Sequence, residues 1–425
     1  MSSYLFALVD GGGTVPPELG AARRLVERGH RVEVLAEDSM IQEVQATGAI
    51  FRPWTTAINR PDRRPENDPF QDWEIRTPFQ LFTRMLDGLL ATPAPAYAAD
   101  LTAAIKDRRP DLVVCSFFAI GAMVAAEGAG VPYHVLMANI YGLPARGLPP
   151  FGLGLQPSTN PLSRVRNWAI RLLVTRQWNK GLGRVNALRE SYGLGQIADF
   201  WDQARRASKL LVLSSSSFDF PAELPGNVYY VGPVLDDPAW AVDQVWNPPP
   251  GENPLVLVAM SSTFQDQVDC LQRVIESLAS LPVSGIVTTG QSVDPTALRP
   301  TSNVQVLAAA PHSEVLKHAS AVVTHGGHGT VVRALAAGVP LVVIPQGRDQ
   351  ADNAARVAAR GAGITVKSGA HPEEIAGAVR QILGDAGYRE AAARLGRIIR
   401  EDAASGALVA ELESPSMSAI QPKLE

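Results

Sequence analysis

The sequence predicts an α/β protein built from two facing Rossmann-like, doubly wound domains with a cleft between them. Three observations predict it. Short apolar runs alternate with amphipathic helical segments along the whole chain, the pattern of parallel strands covered by helices on both faces. The runs fall into two arrays: "YLFALV", "RVEVLA", "DLVVCS", "YHVLMA" and "LLVLSS" first, then "PLVLVAM", "SGIVTTG", "VQVLAA", "AVVTH", "PLVVIP" and "GITV". Between the arrays lies "YVGPVLDDPAW" followed by "WNPPPGENP", a proline-rich stretch that can join neither sheet and reads as a linker. The expected division is a first domain at 1–225, a linker at 226–252, a second domain at 253–404 and a tail at 405–425. The end of that tail, "ESPSMSAIQPKLE", has too little apolar content to pack and is expected to fray.

Composition narrows the function. The 425 residues are 46% hydrophobic and 19% charged with a net charge of −4, so a general nucleic-acid binder, which would be basic, is disfavoured. Two cysteines, Cys115 and Cys270, make no disulfide framework and suit a reducing cytoplasm. The start, "MSSYLFALVDGGG", lacks the basic region and cleavage site of a secretory signal and reads as a first strand. No stretch reads as a membrane span.

Along the first domain, the opening strand runs into "DGGGTVPPELGAARRLVERGH", a glycine turn and a helix from about Glu18 to Arg28. Two long loops, 52–73 and 141–161, interrupt the regular spacing; loops of that length in a compact domain are functional or disordered, and these are expected to line a variable-substrate pocket. Residues 163–192 form a helical segment with seven Lys or Arg against one acid, Glu190. Trp178, Leu182, Val185 and Tyr192 share a face at helical spacing, which favours a solvated basic face over a core stripe; a membrane-surface helix is the alternative.

In the second domain, "VVTHGGHGTVVRAL" (322–335) leaves a β-branched strand through two histidines and three glycines and enters a helix near Thr330. Glycines at 326, 327 and 329 provide positive-φ freedom and close approach to the backbone. The helix start aims unpaired N–H groups and a positive dipole end at whatever sits above the strand, so the turn is an anion site suited to phosphate, with His325 as an extra donor. A metal site at His325 and His328 is disfavoured because no cysteine or carboxylate in the turn completes a shell.

Taken together, "HGGHGT", "ALAAGVPLVVIP" and "GRDQADN", with "APHSEVLKHASAVVTHGG" before the turn and "YVGP" before the linker, resemble the donor site of the GT-B nucleotide-sugar glycosyltransferases, the superfamily of UDP-glucuronosyltransferases and antibiotic glycosyltransferases. The resemblance runs from about Leu5 to Ala404 and is most specific at 311–353. It implies that His325, Gly327 and the backbone at His328, Gly329 and Thr330 hold the donor diphosphate, that Ser262 completes the phosphate cradle, and that Asp349 and Gln350 bond sugar hydroxyls. It further implies an inverting, metal-independent transfer of a hexose from a UDP- or dTDP-sugar to a hydrophobic natural product. The nucleotide sugar is then a co-substrate, no separate cofactor is needed, and a homodimer is possible.

The pattern also departs from the family. Thr14 stands where relatives carry the histidine that deprotonates the acceptor, and Ser116 where its aspartate partner belongs. Neither hydroxyl is a competent base near pH 7. Asp10 is the nearest carboxylate and the candidate base, with His134 and Glu18 behind it; a capping role for Asp10 in the glycine turn competes equally. Arg333 replaces a ribose-holding glutamate and could add positive charge beside the diphosphate, and Ala309 replaces a base-stacking tryptophan. These losses leave open a catalytically silent nucleotide-sugar binder, and the basic segment leaves open a lipid glycosyltransferase at a membrane surface.

Overall fold

The computed structural model describes residues 1–414 except Arg76, Thr159, Asp243, Val245 and Ser262. The first sheet comprises β1 (Ser3–Ala7), β2 (Arg31–Ala36), β3 (Ile50–Pro53), β4 (Leu112–Ser116), β5 (Tyr133–Met137), β6 (Lys209–Val212) and β7 (Val228–Tyr230). The second comprises β8 (Leu255–Ala259), β9 (Ser284–Thr288), β10 (Val304–Leu307), β11 (Ala319–Thr324), β12 (Leu341–Val343) and β13 (Gly363–Thr365). Their orders are β3-β2-β1-β4-β5-β6-β7 and β10-β9-β8-β11-β12-β13, and every pairing is parallel. In each sheet the order reverses beside the first strand of the array, so a crevice opens at the ends of β1 and β4 and of β8 and β11. Strands such as β4, β5 and β8 are buried along their whole length, which is why their sequences are continuous apolar runs.

Two boundaries differ from the sequence expectation. Residues 228–230, assigned to the linker, form β7 and pair with β6, so the first sheet extends to Tyr230. Residues 407–413, assigned to the tail, form the helix Ala407–Glu413, with Leu408 and Leu412 buried in the first domain's core. Lys209 donates to the Glu411 carboxylate at 2.8 Å, and His30 pairs with Glu413 at 2.8 Å. The chain therefore leaves the second domain and returns to the first over 407–413; residues 415–425 lie outside the described residues. No described helix is long and apolar enough to cross a membrane.

Candidate functional site

The two crevices face each other across one cleft of about 340 Å³. On the second-domain wall, β11 ends at Thr324 and the helix His328–Ala336 opens two residues before the expected Thr330, with Gly327 as its N-cap. Only Gly326 of the three glycines uses positive φ, at 98°, and a β-carbon there would meet Val343 Cγ1 at 2.7 Å. At Gly327 a β-carbon would sit 2.6 Å from His325 Nε2, so the glycine makes room for the imidazole.

His325, Gly327, His328, Gly329, Thr330, Arg333, Asp349 and Gln350 all line this cleft, so the structure brings the predicted donor residues to one wall. Ser262 lies outside the described residues, but its neighbours Ser261 and Thr263 line the same wall. Burial pushes the His325 imidazole down to about 4, with Asp349 opposing and Arg348 reinforcing the shift. Near pH 7 the imidazole is then neutral and still donates one N–H, while fixed positive charge on this wall is carried by arginine. Burial likewise lowers His328, whose Nδ1 has no hydrogen-bond partner among the described residues.

Arg333 is one such arginine. Its Nε is buried without a partner, and burial pulls its pKa down against the attraction of Asp237 and Asp236. The side chain is half-buried, and Asp237 and Asp236 attract it without forming an ion pair among the described residues, so it remains available to an anion in the cleft. Arg348 is the second, and sequence reasoning missed it. Its backbone is left-handed, φ 55°, and its guanidinium donates to Asp72 of the first domain at 2.6 and 3.0 Å and to Thr263 at 2.9 Å.

The predicted sugar-binding pair is less free than expected. Gln350 Oε1 accepts from the backbone of Gln346 at 2.7 Å and Gly347 at 3.0 Å, and its Nε2 donates to Gln265 at 2.9 Å. One amide N–H remains. Asp349 accepts from Asn353 at 2.6 Å through Oδ2, which leaves Oδ1 for a ligand.

The first-domain wall is made by side chains. Both long loops reach it: Phe70 comes from 52–73 and Phe151 from 141–161. Behind them Phe117 stacks on Trp201 at 4.8 Å, and Trp178 meets Trp201 and Phe82 edge-on at 5.0 and 4.8 Å. Ring faces and edges in this arrangement suit a flat aromatic guest.

Asp10 sits at the rim of this wall but is occupied. It accepts from Gly12 N at 3.0 Å, Ser39 Oγ at 2.9 Å and Arg63 Nε at 2.7 Å. Burial alone would raise its pKa, but Arg63 and Arg60 outweigh burial and hold it below the ordinary carboxylate value. Of the two readings left open, the capping one fits this geometry. His134 is fully buried and does not line the cleft.

Glu18 is different. It lies in the first turn of Val15–Glu27, lines the cleft at 1% exposure, and its Oε2 has no partner. Thr14 Oγ1 and Ser116 Oγ are likewise buried, and Ser116 is the hydroxyl nearest the carboxyl, so three polar groups with little else to bond gather where the missing dyad would stand. Burial raises the Glu18 carboxyl to about 8, with the Ser116 hydroxyl opposing and Asp10 adding to the rise. The helix dipole favours its ionised form by only about 0.3–1 kcal/mol, less than the burial it opposes.

Comparison with known proteins agrees with this architecture. Residues 272–414 match the erythromycin biosynthesis protein CIII-like C-terminal domain, and residues 12–177 match a glycosyl transferase 4-like domain. The 4'-demethylrebeccamycin synthase of Lentzea aerocolonigenes is 32% identical over 404 residues, 92% of this chain and 94% of that protein. The crystal structure of the calicheamicin glycosyltransferase CalG4 aligns with a TM-score of 0.76 at 25% identity, covering 99% of this chain and 100% of the other. The kitacinnamycin glycosyltransferase gives 0.74 at 25% identity, covering 97% and 98%. These matches extend over both domains and so over both walls of the cleft. The chain belongs to the GT-B UDP-glycosyltransferase family, and it is a glycosyltransferase.

Proposed function

We propose that the enzyme moves a hexose, with inversion, from a UDP- or dTDP-sugar to a hydroxyl of a hydrophobic natural product with a planar aromatic core. The observation that carries this reading is the pairing of an unpartnered Arg333 and an open helix mouth with an aromatic chamber across one cleft. The diphosphate lies on the first-turn N–H groups of His328–Ala336, with His325 donating and Arg333 and Arg348 supplying charge. These groups stabilise the leaving diphosphate as its charge grows, so no metal is needed for that step. Asp349 Oδ1 and the spare Gln350 N–H bond the sugar. Trp240, which lines the same cleft, offers the aromatic face that Ala309 cannot.

Glu18 takes the proton. The acceptor oxygen attacks the anomeric carbon opposite the diphosphate, whose bond to that carbon breaks with the electron pair leaving on phosphate. The acceptor's proton passes to Glu18 and then to solvent. A carboxylate whose pKa is raised to about 8 is a better match to a phenol near 10 than an ordinary one. The resemblance to 4'-demethylrebeccamycin synthase supports a natural-product acceptor, and the buried free thiols Cys115 and Cys270 support a cytoplasmic setting.

The test is incubation with UDP-glucose and dTDP-glucose against a panel of polycyclic phenols and indoles, with and without EDTA. A β-glycoside, read from the anomeric proton coupling and undiminished by EDTA, is expected. An α-linked product would refute inversion, and activity lost in EDTA would refute the arginine-based account of the leaving group.

A further inference from the structure

The helix Pro161–Trp178 has two unlike faces. Asn167, Gln177 and Trp178 are buried. On the opposite side, Leu162, Val165, Trp168, Leu172 and Leu173 fall together at the helical period and are 84%, 64%, 63%, 52% and 55% exposed. Phe79, on the helix Pro78–Met85 that packs beside it, is 57% exposed. These six make up more than half of the large apolar side chains exposed among the described residues, so the patch is a concentration, not the ordinary scatter of surface hydrophobics. The solvated face expected for this segment therefore holds only past Trp178, where Val185 is buried and Leu182 and Tyr192 pack on the core.

Charge chooses the occupant. Residues 161–178 carry Arg164, Arg166, Arg171 and Arg176 and no acid, in a chain whose net charge is −4. Arg164 and Arg166 flank the apolar stripe on its two sides, and Arg176 stands at its C-terminal end. Arg171 is engaged with the Leu148 carbonyl at 2.8 Å and Arg166 with the Asn167 side chain, whereas Arg164 and Arg176 have no hydrogen-bond or ion-pair partner among the described residues. A second copy docking about a twofold axis would bring this cationic patch onto itself with no acid to pair it. An anionic bilayer complements both halves: arginine stems lie along apolar surface with their heads at the phosphates, Trp168 sits at headgroup depth, and the aliphatic side chains enter the acyl boundary.

We propose that this helix seats the protein, in plane, on an anionic lipid surface. The same element reaches the acceptor chamber through Trp178, and its neighbour does so through Phe82 and Met85. An apolar acceptor dissolved in the bilayer would thus enter beside the docking face; that consequence rests on the acceptor class proposed above, while the docking does not.

Sedimentation of the full chain with vesicles tests it without donor or acceptor. Vesicles of phosphatidylcholine with one part in about three phosphatidylglycerol should pellet the protein at low salt, and phosphatidylcholine alone should not. Arg164→Gln and Arg176→Gln should each weaken binding by about fivefold, and Trp168→Ser with Leu172→Ser should abolish it. All four positions are exposed, so the variants should keep wild-type turnover on a soluble acceptor, which checks their folding. No pelleting with anionic vesicles, or pelleting indifferent to these substitutions, would overturn the proposal. So would a concentration-dependent dimer in light scattering that Leu172→Ser dissolves and vesicles do not compete with.

Discussion

The two walls of the cleft are made of different material. The centre of the second-domain wall is backbone, a strand end, a glycine turn and the mouth of one helix within residues 324–330, and side chains such as Arg333, Arg348 and Asp349 surround it. The first-domain wall is chiefly side chains, drawn from the segments that follow β1 and β4, two long loops and a later helix, and far apart in sequence. The difference teaches where specificity can change cheaply. A backbone anion site tolerates few alternatives, because its geometry is the fold's own, whereas an aromatic chamber can be redrawn one residue at a time.

Substitutions on either wall put this contrast to the test. The largest effect is expected from Glu18→Gln, which should lower kcat by about 10²–10⁴ and leave nucleotide affinity unchanged. In the wild type the rate should rise with pH through about 8 as Glu18 ionises, and the variant should lose that limb. Stability supplies an independent readout. The folded pKa of Glu18 lies above its unfolded value, so its contribution is intact below the ordinary carboxylate range and is lost as pH rises through about 8. Melting temperature should therefore fall more steeply between about pH 5 and 8 in the wild type than in Glu18→Gln. If the two curves coincide, the carboxyl is not buried as described.

His325→Ala comes next, with an expected loss of about 10²–10³ in kcat/KM, now accompanied by weaker nucleotide binding in calorimetry. Unaltered donor affinity would erase the distinction between the walls. Asp10→Asn should act on the fold: a loss of about 2–3 kcal/mol from the Arg60 and Arg63 network, measured by denaturant titration, with the pH–rate profile keeping its shape. The smallest effect is expected for Asp72→Asn, which loosens the clasp to Arg348 across the cleft. About a tenfold drop in kcat/KM with little change in melting temperature would mark it as a closure contact.

These contrasts also explain what the sequence disclosed. The nine central strands were legible because a strand buried on both faces must be a continuous apolar run, and the second sheet's edges β10 and β13 were legible from their short β-branched runs. The edge strands β3 and β7 were not: Ile50 is exposed and β7 is three half-buried residues, so neither carries a buried pattern. The helix mouth was legible to within two residues because glycine chemistry is local. Glu18 was legible as a helical acid but not as an orphan. Its setting arises because β1 pairs with β4 and brings Ser116 within reach of the helix that follows β1, a contact nearly a hundred residues long in sequence. The Asp72–Arg348 clasp was hidden for the same reason, on a larger scale, since it exists only when two domains face each other.

The closing helix Ala407–Glu413 bears on how that facing is controlled. Because the chain passes between the domains once near residues 231–254 and again near 404–407, the halves are strapped twice. Two straps define an axis, and rotation about it is the motion they leave least hindered, as with the pin of a hinge. Opening to admit a nucleotide sugar and shutting to expel water would then share one coordinate, and removing the last helix would release twisting and sliding that the intact chain suppresses.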